Sequence, residues 1–126
     1  MKDKQPAHIF TGLRGESLAL LYLEEKGYDI LETNWRYSRA EVDLIARFED
    51  QLIFVEVKTR ESYRHGYPED DVQPKKQQLL YDAAAAYMDV CDHDGEVRFD
   101  IISIILPPDG VPNIRHIEDA FFPGLF

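Results

Sequence analysis

Apolar positions recur along this 126-residue chain at two periods, and their order predicts a helix, a run of strands, a second helix and a further strand. From Thr11, a residue able to cap, to a stop at Gly27, the segment is apolar around most of its circumference, as a core helix should be. Residues 28–35, 41–48 and 52–59 read as strands, and only Glu49, Asp50 and Gln51 part the last two, so an antiparallel hairpin is expected there. Pro74 opens a second helix in which Lys76, Leu80, Ala83, Tyr87 and Val90 keep helical spacing. Residues 99–106 form a nearly unbroken apolar run suited to a strand covered on both faces, ended by Pro107, Pro108 and Gly110. Residues 114–117 add a short edge strand, and residues 120–126 an aromatic tail that packs or pairs with another copy. Between Arg60 and Pro74 a polar stretch carrying Arg64, His65, Gly66, Tyr67 and Pro68 reads as a loop at the mouth of a site. The expected fold class is α/β, a sandwich around a central mixed sheet in the order α-β-β-β-α-β plus a short C-terminal strand.

Charged residues break the hairpin's pattern. Alternation puts Leu52, Phe54, Glu56 and Lys58 on one face and Ile53, Val55 and Val57 on the other. A loop at Glu49 and Asp50 pairs Phe48 with Gln51, and counting back sets Asp43 opposite Glu56; a slip of one residue would send Asp43 to the other face. Two carboxylates that close repel, and without a cation one of them is pushed toward its neutral form. A hard divalent ion such as Mg2+ removes the conflict, since it takes one or two carboxylates plus waters and phosphate oxygens. Lys58 is then placed to hold a water or to neutralise charge building on phosphorus. This equipment suits phosphodiester hydrolysis, although a surface ion pair satisfies the same short pattern.

Each helix adds one residue to that cluster. Glu16 stacks between Leu13, Leu20 and Leu23 on one stripe, so its carboxylate should point inward and needs a cation or donor. It reads either as a helix-start acid paired with Arg14 or Lys26, or, beside the hairpin, as a third acid near a metal. Lys76 opens an apolar face, where it either snorkels over the core edge or meets a phosphate, with Lys75 and Gln77 as weaker candidates for that task. Asp100, inside the apolar strand, either bonds backbone at the sheet's end or orients Lys76.

Composition bounds these readings. With 44% hydrophobic residues, residues 1–126 are expected to form a single domain, with 1–8 a flexible N-terminus. Neither a signal-peptide run nor a bilayer-length apolar stretch is present, so a cytoplasmic location without membrane contact is expected. The single cysteine, Cys91, is expected to be a small buried hydrophobe late in the second helix. Net charge of −10 argues against strong nonspecific DNA binding. The basic residues are sorted, however: Arg14, Arg36, Arg39, Lys58, Arg60, Arg64, Lys75 and Lys76 flank the proposed cluster, whereas residues 82–94 are nearly all acidic where charged. Weak, salt-sensitive and structure-selective nucleic-acid binding, or a partner that supplies affinity, is therefore expected. Residues 92–96 misalign with a calcium loop by their glycine, and the four histidines lack zinc-ligand spacing.

Several segments together resemble a known family: Gly15-Glu16, Gly27-Tyr28, Asn34-Trp35-Arg36, residues 41–45, residues 54–60, residues 72–77, Arg98-Phe99-Asp100 and residues 117–121. Across nearly the whole chain the sequence is similar to the bacterial YraN-like family, placed in the restriction-endonuclease-like PD-(D/E)xK superfamily and similar to archaeal Holliday junction resolvases. The resemblance implies a restriction-endonuclease-like sandwich in which Asp43 and Glu56 bind Mg2+ or Mn2+, with the Val57 carbonyl as a further ligand. It also implies that Lys58 positions the attacking water, that Glu16 is the helix acid of resolvase-like members, and that Lys76 and Gln77 form the polar start of the following helix. Val42 stands where the superfamily's proline would be.

The expected function is a metal-dependent endonuclease acting on DNA, including branched or recombination intermediates. Arg14, Arg36, Arg39, Arg60, Lys75, Lys76 and Gln77 are expected to meet the nucleic acid, with Glu41 and Asp100 supporting the cluster from behind. Homodimerisation would suit cutting two strands. The alternatives are a noncatalytic nucleic-acid or protein-binding module that keeps the sheet, and a hydrolase of small phosphoesters.

Overall fold

A computed structural model describes residues 7–62, 64, 66, 68 and 72–121. The elements follow in the order α1 (Ala7–Glu25), β1 (Asp29–Tyr37), β2 (Ala40–Phe48), β3 (Gln51–Arg60), α2 (Pro74–Cys91), β4 (Val97–Ile105) and β5 (Asn113–Ile117). The strands form one mixed sheet in the spatial order β1-β2-β3-β4-β5. Only β3 and β4 run parallel, because α2 carries the chain back between them.

The predicted element order matches. The first helix starts at Ala7, ahead of the expected cap at Thr11. Its stop is where it was expected: Gly27 turns into the left-handed region at φ +91°, and the Tyr28 N–H reaches back to the Leu23 carbonyl at 3.0 Å. Phe48 pairs with Gln51, the hairpin register expected from its loop.

Two cores flank the sheet. Leu52, Phe54, Val42, Ile45, Phe99 and Ile101 meet Leu80, Ala83, Ala84 and Tyr87 of α2. On the other face Leu44, Ala46, Ile53, Val55, Ile102 and Ile104 meet Ala19 and Leu23 of α1. The approach of α1 to β3 is close at Gly15, where an added Cβ would overlap Thr59 Oγ1 and lie 3.0 Å from its Cβ.

Tyr87 is the last buried residue of α2, and Met88 still packs partly buried against the same core. Beyond it the expected apolar stripe fails: Val90 is 75% exposed, and Cys91 is exposed where a buried hydrophobe was expected. Asp92 closes the helix in the left-handed region at φ +54°. The N-terminal residues 1–6, loop residues His65 and Tyr67, and residues 122–126 of the aromatic tail lie outside the described residues. Phe121 is buried beside Tyr81 and Phe99. No described helix is long and apolar enough to cross a membrane.

Candidate functional site

Side-chain alternation breaks at Asp43, and that break builds the site. Val42 and Leu44 are two residues apart, so a regular strand would point them the same way, yet they fall into opposite cores. Across the ladder, Thr33 pairs with Leu44 and Trp35 with Val42, which sets Asn34 opposite Asp43. Asn34 adopts the left-handed conformation at φ +50°, one that asparagine tolerates better than most residues. The β2–β3 ladder runs only as far as Leu44 and Val55. Past that point the Val57 N–H donates to Asp43 Oδ2 at 2.8 Å, so a carboxylate replaces a strand carbonyl as acceptor.

Asp43 and Glu56 thereby share a buried slot, 8% and 3% exposed. Burial first, then the neighbouring Glu56 charge, raises the Asp43 carboxyl to about 7 against the opposing pull of the Val57 N–H. Lys76, in the first turn of α2, brings Nζ to 3.4 Å from Glu56 Oε2. That oxygen is buried and still makes no hydrogen bond. The ammonium therefore acts on it through charge. Lys58 is half-buried, one step along the same strand face as Glu56.

This donor set fits a hard divalent ion: two carboxylates held together against repulsion, one with an orphaned buried oxygen. Glu16 lies near enough to Asp43 to feel its charge, but it does not complete a three-acid group with the pair. Among the described residues no three His, Cys, Asp or Glu side chains gather closely enough to hold a metal. Glu16 faces the α1 side, where its Oε1 accepts from Asn34 Nδ2 at 2.9 Å beside a pocket of about 190 Å3 lined also by Ser17, Leu20, Thr33 and Leu44. Burial raises its carboxyl, the Asn34 bond opposes, and the Asp43 and Glu41 charges add to the rise. Its hydrogen-bond partner is thus Asn34, and not the Arg14 or Lys26 of the helix-start reading.

The remaining candidates scatter. Arg14, Arg39 and Lys75 are exposed, and Arg60 Nη1 donates to the Thr59 carbonyl at 2.8 Å. Arg36 pairs with Glu41 at 3.0 Å, so Glu41 serves the rim of the β1–β2 hairpin and does not touch the carboxylate pair. Gln77 donates to the Val72 carbonyl at 3.1 Å, which fixes the entry to α2.

Of the two readings of Asp100, the backbone bond is present, with the Asp119 N–H as donor, and the link to Lys76 is not. Asp100 lies on the α1 face with Ile102 and Ile104, across the sheet from Lys76, and cannot orient that lysine. Fully buried, it receives Arg98 Nε at 2.9 Å and Nη2 at 2.8 Å, contacts His116 Nε2 at 2.7 Å, and accepts the Asp119 N–H at 3.2 Å. Burial pushes its carboxyl up, but the bonds from His116 and Arg98 outweigh it and hold the group low. Arg98 also reaches the Tyr28 hydroxyl at 2.5 Å and Glu118 at 3.1 Å. Sequence reasoning passed over Arg98, His116 and Tyr28; opposite charges two apart in an apolar strand, Arg98 and Asp100, were the available signal.

The chain matches the model of the uncharacterised protein family UPF0102 over residues 15–104. It is 50% identical over 115 residues to a UPF0102 protein of Christiangramia forsetii, covering 91% of this chain and 96% of that one. A UPF0102 protein of Bacteroides thetaiotaomicron is 44% identical over 119 residues, covering 94% and 98%. One of Syntrophomonas wolfei is 45% identical over 111 residues, covering 87% and 96%.

Proposed function

The chain belongs to the uncharacterised protein family UPF0102, and we propose that it is a metal-dependent nuclease with a restriction-endonuclease-like sheet, acting on DNA phosphodiesters. One observation carries the reading: a buried Asp43–Glu56 pair in which burial, and then the Glu56 charge, raise Asp43 to about 7, and in which Glu56 Oε2 makes no hydrogen bond. A fold keeps such an arrangement at a cost to stability, and a cation offsets that cost.

In this proposal Asp43 and Glu56 hold Mg2+ or Mn2+, which when bound supplies Lewis-acid charge at phosphorus and a more acidic water. The Val57 N–H fixes the Asp43 carboxylate through Oδ2 and so would orient it toward the ion. Lys58, neighbouring Glu56 on the strand face, orients the attacking water and steadies negative charge on the phosphoryl oxygens. Exposed Arg14, Arg39 and Lys75, with Arg60, are proposed to guide the phosphate backbone. Net charge of −10 makes this binding weak and favours a bent or branched DNA that brings several phosphates to those few cations.

A noncatalytic nucleic-acid-binding module is the second reading, favoured by the absence of a third acid grouped with the pair among the described residues. Incubation of branched, flapped and linear DNA with the protein and Mg2+ or Mn2+ separates the two. Cleavage lost in Asp43→Ala and Lys58→Ala supports the nuclease. Binding without cleavage supports the module, and turnover confined to small phosphoesters contradicts both.

A further inference from the structure

We propose that Lys76 is a resident counterion for Glu56 that a divalent cation displaces, so that loading the carboxylate pair frees the ammonium for an anionic group of the substrate. The inference rests on the cation reading of Asp43 and Glu56. It concerns what the chain does before the ion arrives.

Helix position supplies the first argument. Lys75 and Lys76 occupy the opening turn of α2, directly after Pro74, and that turn has no acidic residue. The helix dipole is positive there, so a cation is misplaced unless an external anion holds it. Glu56 is that anion, 3.4 Å from Lys76 Nζ.

The character of the contact supplies the second. Glu56 is 4% exposed at its side chain and Lys76 is 38% exposed, so the carboxylate stays put while the lysine head can reach solvent. The oxygen nearest Lys76 makes no hydrogen bond, which leaves its lone pairs available to an ion. The groups facing this slot are Asp43, Glu56 and Lys76, with Lys58 next along the strand. An ammonium and a divalent ion cannot both sit against one buried oxygen, because their mutual repulsion is little screened there. Lys76 therefore competes with the ion, and its four-carbon stem lets it swing aside once outcompeted.

Mn2+ binding, followed by electron paramagnetic resonance of the free ion, tests this without any catalytic readout. Lys76→Met keeps most of the stem and removes the charge, and it should tighten Mn2+ binding about tenfold, the equivalent of one modest ion pair. Lys76→Arg keeps the charge and should bind near the wild-type level. Glu56→Gln should abolish binding in either background. In the wild type, Mg2+ should also shift the Nζ resonance of Lys76 in 15N-lysine-labelled protein. Unchanged or weaker binding in Lys76→Met, with Glu56→Gln still abolishing it, overturns the displacement and leaves the cation site standing. Binding by neither wild type nor Lys76→Met overturns both. An Nζ resonance indifferent to saturating Mg2+ overturns the displacement on its own.

Discussion

Asp43 Oδ2 accepts the Val57 N–H at 2.8 Å, at the point where β2 and β3 stop pairing as strands. A carboxylate has taken the place of a backbone carbonyl, and its charge is thereby fixed beside Glu56. Burial of that pair weighs against the fold.

Charge removal at Asp43 should stabilise the metal-free protein. The carboxyl titrates at about 3.9 in an unfolded chain and at about 7 in the fold. Between those values the native state holds the extra proton, so stability falls as pH rises through the window and the full penalty is present above it. Asp43→Asn, which keeps an acceptor for Val57, should gain about 1–3 kcal/mol at about pH 8. Urea unfolding should show that gain fading toward about pH 4. A gain independent of pH would contradict the assignment.

The same titration should govern cation binding. Asp43 must lose its proton to serve as a ligand, so Mn2+ affinity should fall as pH drops below about 7, approaching tenfold per pH unit. Calorimetry in buffers of different ionisation enthalpy should detect about one proton released per ion at about pH 6. No proton release there would place the binding elsewhere.

Lys58 should separate chemistry from binding. Lys58→Met is expected to lower DNA cleavage by about 100-fold to 10,000-fold. Mn2+ affinity should stay within about threefold of wild type, because the lysine is no ligand. Equal loss of both would assign Lys58 a structural role.

Asp100 should matter to stability without touching the chemistry. Asp100→Ala removes two hydrogen bonds and the buried counterion from the Arg98 guanidinium, leaving it Tyr28 and the exposed Glu118, and should cost about 3–5 kcal/mol. Because the Asp100 carboxyl is held below its ordinary value, its contribution is present above about pH 4 and is lost as pH falls through the folded value. Arg98→Met combined with Asp100→Leu should cost less than Asp100→Ala alone. Denaturation curves check this, and a double variant less stable than the single one would refute it.

The sequence disclosed the hairpin register because a short loop and strict alternation leave little freedom, and Phe48 does pair with Gln51. The order of elements was equally legible from Gly27, Pro74 and the apolar periods. What it hid was the break in alternation at Asp43, which depends on the backbone of Asn34 in the neighbouring strand. Glu16 was legible as an acid needing a partner, but the partner is a neutral amide supplied by that same Asn34. Asp100 misled for a related reason: its face follows from β4 alternation, yet its partners come from Arg98, His116 and the turn at Asp119. Periodicity reports which face a residue takes and is silent on which distant side chain meets it there.

Anomalous diffraction from crystals grown with Mn2+ tests the central claim most directly. The expected result is a strong peak bridging the Asp43 and Glu56 carboxylates, absent from Asp43→Asn crystals. A wild-type map with no peak between those two side chains, or one unaffected by Asp43→Asn, would contradict the account.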